Sequence, residues 1–152
     1  MYEVVEDQES RRIKQLSIFL PNRLGALLPV IRLMERHDIH INAMSIVDAA
    51  DHAVVRIIVD RPVLALQALE EGGYGVCETD LLGVALPSGS DASIRSVLST
   101  MLMAELNVFY VYSLITYTDN KPVLALYAED LDTASKFLVQ KGLELIGQDE
   151  LR

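Results

Sequence analysis

Apolar residues in LGALLPVIRLMERHDIHINAMSI, residues 24–46, recur at helical spacing and then switch to the alternation of a strand. Leu27, Val30, Ile31 and Met34 fall three and four apart and mark one apolar helix face. The same spacing returns 67 positions later at Ile94, Val97, Leu98 and Met101, within DASIRSVLSTMLMAELNVFYVYSL. Ile39 and Ile41, which follow the first helix, are matched by Leu106 and Val108. The chain is therefore an internal repeat whose two copies each contain a helix leading into a strand.

The remaining pattern runs in step. Residues 15–20 alternate and meet Pro21, and residues 81–86 are apolar and meet Pro87. Stretches 41–48 and 53–59 predict a hairpin through Ala50, Asp51 and His52. Stretches 108–117 and 122–128 predict another through Thr118, Asp119 and Asn120. A second helix follows each hairpin, opened by Asp60 and Pro62 and closed by Gly72 and Gly73 in the first copy. In the second copy Asp130 opens it and Gly142 closes it. Short final strands are expected near 75–80 and 143–147. Each copy reads β-α-β-β-α-β, the ferredoxin-like unit, so the fold class is α+β. The expected organisation is an N-terminal extension over 1–13, one module over 14–80 and another over 81–152. A unit this small leaves a sheet face or edge uncovered, so the modules are expected to pack as a pseudo-dimer, side by side in one long sheet.

Composition and charge narrow the function. The 152 residues carry 13 Lys plus Arg against 22 Asp plus Glu, a net charge of −9. Such a balance argues against nucleic acid and against a polybasic membrane contact, both of which need clustered cations. No apolar run is long enough for a membrane span, and MYEVVEDQESRR lacks a signal-peptide core, so the cytoplasm is the expected compartment. A single cysteine, Cys77, excludes a disulfide within the chain and is expected to be a small core residue in a strand.

Chemistry concentrates in Pro21-Asn22-Arg23-Leu24-Gly25-Ala26-Leu27, between the first strand and the first helix. Gly25 permits close approach of a ligand to the backbone. The helix start offers free N–H groups and a positive dipole end, which can hold a carboxylate. Asn22 adds a donor and an acceptor suited to an amino-acid head group. A plain cap and turn explains the same residues. Pro29 is tolerated only in a first helical turn, so the helix is expected to begin near Leu27 or to bend there.

NRLGAL ahead of an amphipathic helix, followed by an Ile-x-Ile strand, resembles the ACT domain, and the doubled pattern extends the resemblance over residues 14–148. Asn22, Gly25, Ala26 and Leu27 match that family's loop, while Leu24 stands where the family has Pro. The resemblance implies a regulatory module that binds an amino acid at the interface between two modules. The ligand-binding residues it points to are Asn22, Arg23, Leu24, Gly25, Ala26 and Leu27 of the first loop, with Asn107 and His40 at the start of the second strand of each copy. Asn107 is the repeat counterpart of His40. The second loop, Pro87–Ile94, has one extra residue and Ala92 in place of the glycine. One site, the first loop facing Asn107, is therefore expected, with the second loop and His40 as the weaker alternative.

Phe109 and Val111 are expected on one face of their strand and Tyr110 and Tyr112 on the other, where the tyrosines pack an interface between the halves or, as the alternative, line a ligand pocket or a dimer face. His37, His40 and His52 lack metal-ligand spacing, and His37 and His52 read as solvent-facing. No nucleophile elbow, phosphate loop or dinucleotide glycine pattern occurs, and Gly72-Gly73-Tyr74-Gly75 reads as a helix stop and turn. The chain is thus read as a non-enzymatic amino-acid sensor with no cofactor or metal, a homodimer acting on a metabolic enzyme. Arg11-Arg12-Ile13 and Gly25-Ala26-Leu27 also resemble the regulatory small subunit of acetolactate synthase. A structural interaction module without ligand is the further alternative.

Overall fold

The computed structural model describes residues 7–87, 91–116 and 118–152, with Asp91 and Ala92 described by backbone alone. The chain divides into two units. The first is Lys14–Thr79 with Leu151–Arg152, and the second is Asp80–Glu150 with the described residues before Lys14.

The first unit runs β1 (Ile13–Pro21), α1 (Leu28–Arg36), β2 (Ile41–Ala49), β3 (His52–Val59), α2 (Pro62–Glu71) and the start of β4 (Gly75–Ala85). Its strands lie in the order β2-β3-β1-β4. Alternation along β1 sends Leu16, Ile18 and Leu20 into a core completed by Val30 and Met34 of α1, Val55, Ile57 and Val59 of β3, and Leu69 of α2. The second unit runs from the end of β4 through α3 (Asp91–Met103), β5 (Val108–Ser113), β6 (Val123–Ala128), α4 (Leu131–Gln140) and β7 (Glu144–Ile146). There β4 pairs with β6 on one side and β7 on the other, and β5 lies outside β6. Leu82, Val84, Val97, Met101, Leu126, Leu138 and Leu145 form its core.

Each unit is the expected β-α-β-β-α-β module, and the repeat extends to single backbone bonds. After α1, Asp38 takes φ 54° and the Ile39 N–H donates to Met34 O at 2.9 Å. After α3, Glu105 takes φ 57° and the Leu106 N–H donates to Met101 O at 3.0 Å. These are helix ends closed by a left-handed residue. Asp60 and Glu129 then make the same clasp on the next strand. Asp60 exchanges its N–H with His40 O at 3.1 Å and accepts the His40 N–H at 2.9 Å. Glu129 does so with Asn107 at 3.1 and 3.3 Å. His40 and Asn107 are therefore structural counterparts.

Several details differ from the sequence expectation. The stretches 75–80 and 81–86 are one continuous strand, β4, because no glycine or proline interrupts Gly75–Ala85 except Gly83, which is paired. Asp60 does not cap α2, since its carboxylate is bound to His40. Arg61 holds the cap position without a side-chain bond. Strand β5 ends at Ser113 rather than 117, and the facing strand β6 begins at Val123, just after Pro122, which has no N–H to give to the ladder. Cys77 is exposed, not core: Val76 faces the core, so its neighbour faces away. A register shift between Val108 and Tyr110 breaks alternation in β5. Phe109 and Tyr110 both lie beside Tyr127, with ring centroids 5.5 and 5.3 Å away, while Val111 packs on the core. On α3, Val97 and Met101 are buried, but Ile94 and Leu98 remain 37% and 40% exposed. The second loop falls largely outside the described residues, at 88–90.

Asp130 caps α4 as expected, accepting the Thr133 N–H at 3.1 Å and the Thr133 hydroxyl at 2.6 Å. The hydroxyl first, and the N–H second, hold its carboxyl below the usual carboxylate range. A depressed folded pKa contributes stability that is present above the unfolded value and lost as pH falls through the folded one. Asp130→Ala is expected to lower Tm by a few degrees at pH 7 and by much less once pH has fallen through the lowered folded pKa. Asp130→Asn, which caps without titrating, keeps Tm near the parent at pH 7. Thermal melts across that range check the sign.

Candidate functional site

The loop between β1 and α1 is shaped by three local constraints. Pro21 ends β1 against His52. Gly25 turns the chain at φ +82°, with nothing within 4 Å of where a Cβ would stand. Pro29 lies in the first turn of α1, whose cap residue is Leu27, so the helix begins where the proline allows.

Within this loop the Arg23 N–H donates to Pro21 O at 2.9 Å and the Ala26 N–H to Arg23 O at 3.3 Å. Among the described residues, the N–H groups of Leu24, Gly25, Leu27 and Leu28 have no intramolecular acceptor. Leu27 supplies no side-chain cap, so the donors at the helix start stay open. The Arg23 guanidinium forms no ion pair among the described residues. Beside them is a cleft of about 260 Å³. Apolar Leu20, Pro21, Ala26, Pro29 and Tyr74 line it together with Arg23, Leu24 and Gly25. At about 30 Å³ per water, that is the scale of one small metabolite. Free N–H groups, a helix N-terminus and a guanidinium favour an anionic group, and the walls favour an apolar one.

The expected residues do not all play the same part. Asn22 turns away from the cleft. Its Nδ2 donates to Asp48 Oδ1 at 2.7 Å and to Ala50 O at 2.9 Å, and its own N–H reaches Asp51 O at 3.2 Å. It braces the loop on the β2–β3 hairpin and leaves only its carbonyl oxygen to accept. The Leu24 side chain is fully exposed, and Leu27 packs on the core. His40 is exposed at the opposite end of β2 from that hairpin, roughly 30 Å away at about 3.3 Å per residue. It does not join the loop of its own unit. Asn107 is exposed at the matching end of β5, and its side-chain amide has no partner among the described residues.

Two contributors were missed by sequence reasoning. Tyr74 lines the cleft although it follows a helix stop, and only the pairing of β4 with β1 brings it there. Asp48 anchors Asn22 through the hairpin register. Among the described residues no three His, Cys, Asp or Glu side chains come together as a metal site, and no helix is long and apolar enough to cross a membrane.

The profile of a family described as an ACT domain pair matches residues 11–152. A protein from Bacteroides thetaiotaomicron superposes with a TM-score of 0.84 at 27% identity, over 93% of this chain and 96% of that one. The ligand-free regulatory subunit of aspartate kinase from Thermus thermophilus gives 0.61 at 13% identity, over 86% and 93% of the two chains. The regulatory subunit of aspartate kinase from Thermus flavus gives 0.57 at 14% identity with the same coverages. At such identities the last two share the fold. None of the curated protein sequences matches significantly.

Proposed function

Because the chain belongs to the family of ACT domain pairs, we propose that it is a regulatory protein of amino-acid metabolism whose ligand is an amino acid held at the Pro21–Pro29 loop. The observation that carries this reading is the group of four open N–H donors beside Arg23 and an apolar-walled cleft. An amino acid presents a carboxylate to the donors and a side chain to the walls. The fold shared with aspartate kinase regulatory subunits supports a regulatory rather than a catalytic role. In this reading the output passes to a partner such as a metabolic enzyme. Ligand alters that partner only through different affinities for two states of the protein.

Thermal melts against the standard amino acids test the reading. A cognate ligand about 100-fold above its Kd is expected to raise Tm by about 5 °C or more. Arg23→Ala and Gly25→Val are expected to remove most of that shift while far-UV circular dichroism stays native. Asn107→Ala asks whether the second copy contributes, and loss of the shift there adds Asn107 to the ligand's contacts. Absence of a shift with every amino acid overturns the proposal and leaves a structural interaction module.

A further inference from the structure

Among the described residues β7 pairs with β4 alone, so half of its main-chain groups face away from the sheet. Those of Leu145 are among them, and neither is left open. The Leu145 N–H donates to Gln8 Oε1 at 3.1 Å, and Leu145 O accepts from Arg11 Nη1 at 3.5 Å. Two residues on, the Gly147 N–H donates to Glu150 Oε2 at 3.1 Å. The same Arg11 Nη1 donates to Glu150 Oε1 at 2.7 Å, which links the three side chains into one set. The Arg11 stem lies over Gly147, where a Cβ would stand 3.9 Å from both its Cγ and its Cδ. All of these residues belong to the second unit. The edge of β7 is thus met by side chains in the places where a neighbouring strand would bond.

We propose that residues 7–12 are a strap that closes the β7 edge to other strands, with Gln8, Arg11 and Glu150 as its lock. Asp7-Gln8-Glu9-Ser10-Arg11-Arg12 contains no apolar side chain. Its one helical turn, over 7–10, is too short to hold by itself. Beyond the lock it is tied down by polar contacts, Arg12 Nη2 to Asp132 Oδ1 at 2.7 Å and the Gln148 N–H to Arg12 O at 3.1 Å. A segment that buries no apolar side chain opens at far lower cost than a core element. Strand β7 is the opposite case, because Leu145 and Ile146 are both fully buried. Opening the strap therefore leaves β7 in place with a bare edge. What fits a bare edge is the backbone of an extended segment from another chain, recognised by main-chain pairing with little demand on its sequence. The strap shares no residue with the Pro21–Pro29 loop, so it stands or falls apart from the ligand reading.

Amide hydrogen exchange of the full chain, followed by NMR, tests the lock. In the parent the Leu145 and Gly147 amides are expected to exchange faster than that of Ile146, which faces β4, because the strap opens without the strand. Gln8→Ala is expected to speed exchange at Leu145 about two- to tenfold, the loss of one hydrogen bond, and Glu150→Ala to do the same at Gly147. Ile146 is expected to change less than about twofold in both. Gln8→Ala, Arg11→Ala and Glu150→Ala combined are expected to form assemblies larger than the parent's at about 100 µM, with added intermolecular β-sheet absorbance in the infrared and a native near-UV spectrum. Should the triple variant lose that spectrum, Gln8→Ala alone carries the same comparison. An unchanged Leu145 amide in Gln8→Ala overturns the lock. Equal acceleration at Leu145, Gly147 and Ile146 overturns it too, since the side chains then support only the fold as a whole. Released amides without larger assemblies overturn the closing of the edge to other strands.

Discussion

Gly83→Val is expected to destabilise the protein by about 3 kcal/mol, seen as a lower urea midpoint and a Tm about 10 °C down. Gly83 lies in β4 directly opposite Ile146 of β7, and the Ile146 side chain leans into the space above it. A Cβ at this position would stand 2.7 Å from Ile146 Cγ1 and 3.2 Å from Ile13 Cδ1. Both isoleucines are fully buried, so neither can swing into solvent. Valine adds two further methyl groups to that clash. The gain in strand propensity from Gly to Val offsets less than about 1 kcal/mol of it. The physical cause has its own control. In an Ile146→Ala background, itself destabilised, adding Gly83→Val is expected to cost less than about 1 kcal/mol, because the space is then open. A full cost in both backgrounds would mean that the backbone, not Ile146, sets the need for glycine. The glycine also explains why β7 can be three residues long: its pairing is short, but its isoleucine is seated in a slot made for it.

How much of this was legible beforehand depends on which forces act locally. The repeat was legible because burial at Val30, Met34, Val97 and Met101 imposes helical spacing that survives divergence elsewhere. Asp130 was legible because a cap is a contact three residues long. The start of α1 was legible from Pro29, which admits few positions. What escaped depends on partners distant in sequence. Phe109 changed sides through a register shift set by β6, and no residue in VFYVY announces it. Asn22 reads as a ligand donor in a loop motif, yet its amide hydrogens are already taken by Asp48 and Ala50, 26 and 28 residues on. Tyr74 enters the cleft only because β4 returns beside β1. Ile94 and Leu98 were counted into the core because spacing identifies an apolar stripe but not what covers it.

The duplication also makes an energetic prediction. Met34 and Met101 hold the same position, are 0% and 1% exposed, and accept the same kind of helix-closing bond, from Ile39 and Leu106. Met34→Ala and Met101→Ala remove the same volume from two cores built on the same plan. Each is expected to cost about 2–5 kcal/mol, a loss of lowered transfer energy plus an incompletely closed cavity. The backbone bonds remain, so the loss is packing alone. Urea denaturation of the two variants separates cooperative from independent unfolding of the modules. If they unfold together, each variant shifts one transition by a similar amount with unchanged slope. If they unfold separately, each moves its own transition and leaves the other in place. A cost below about 1 kcal/mol at Met101 alongside a full cost at Met34 would show that the second core tolerates what the first does not. Equal costs mean that α3 is seated on its core as firmly as α1.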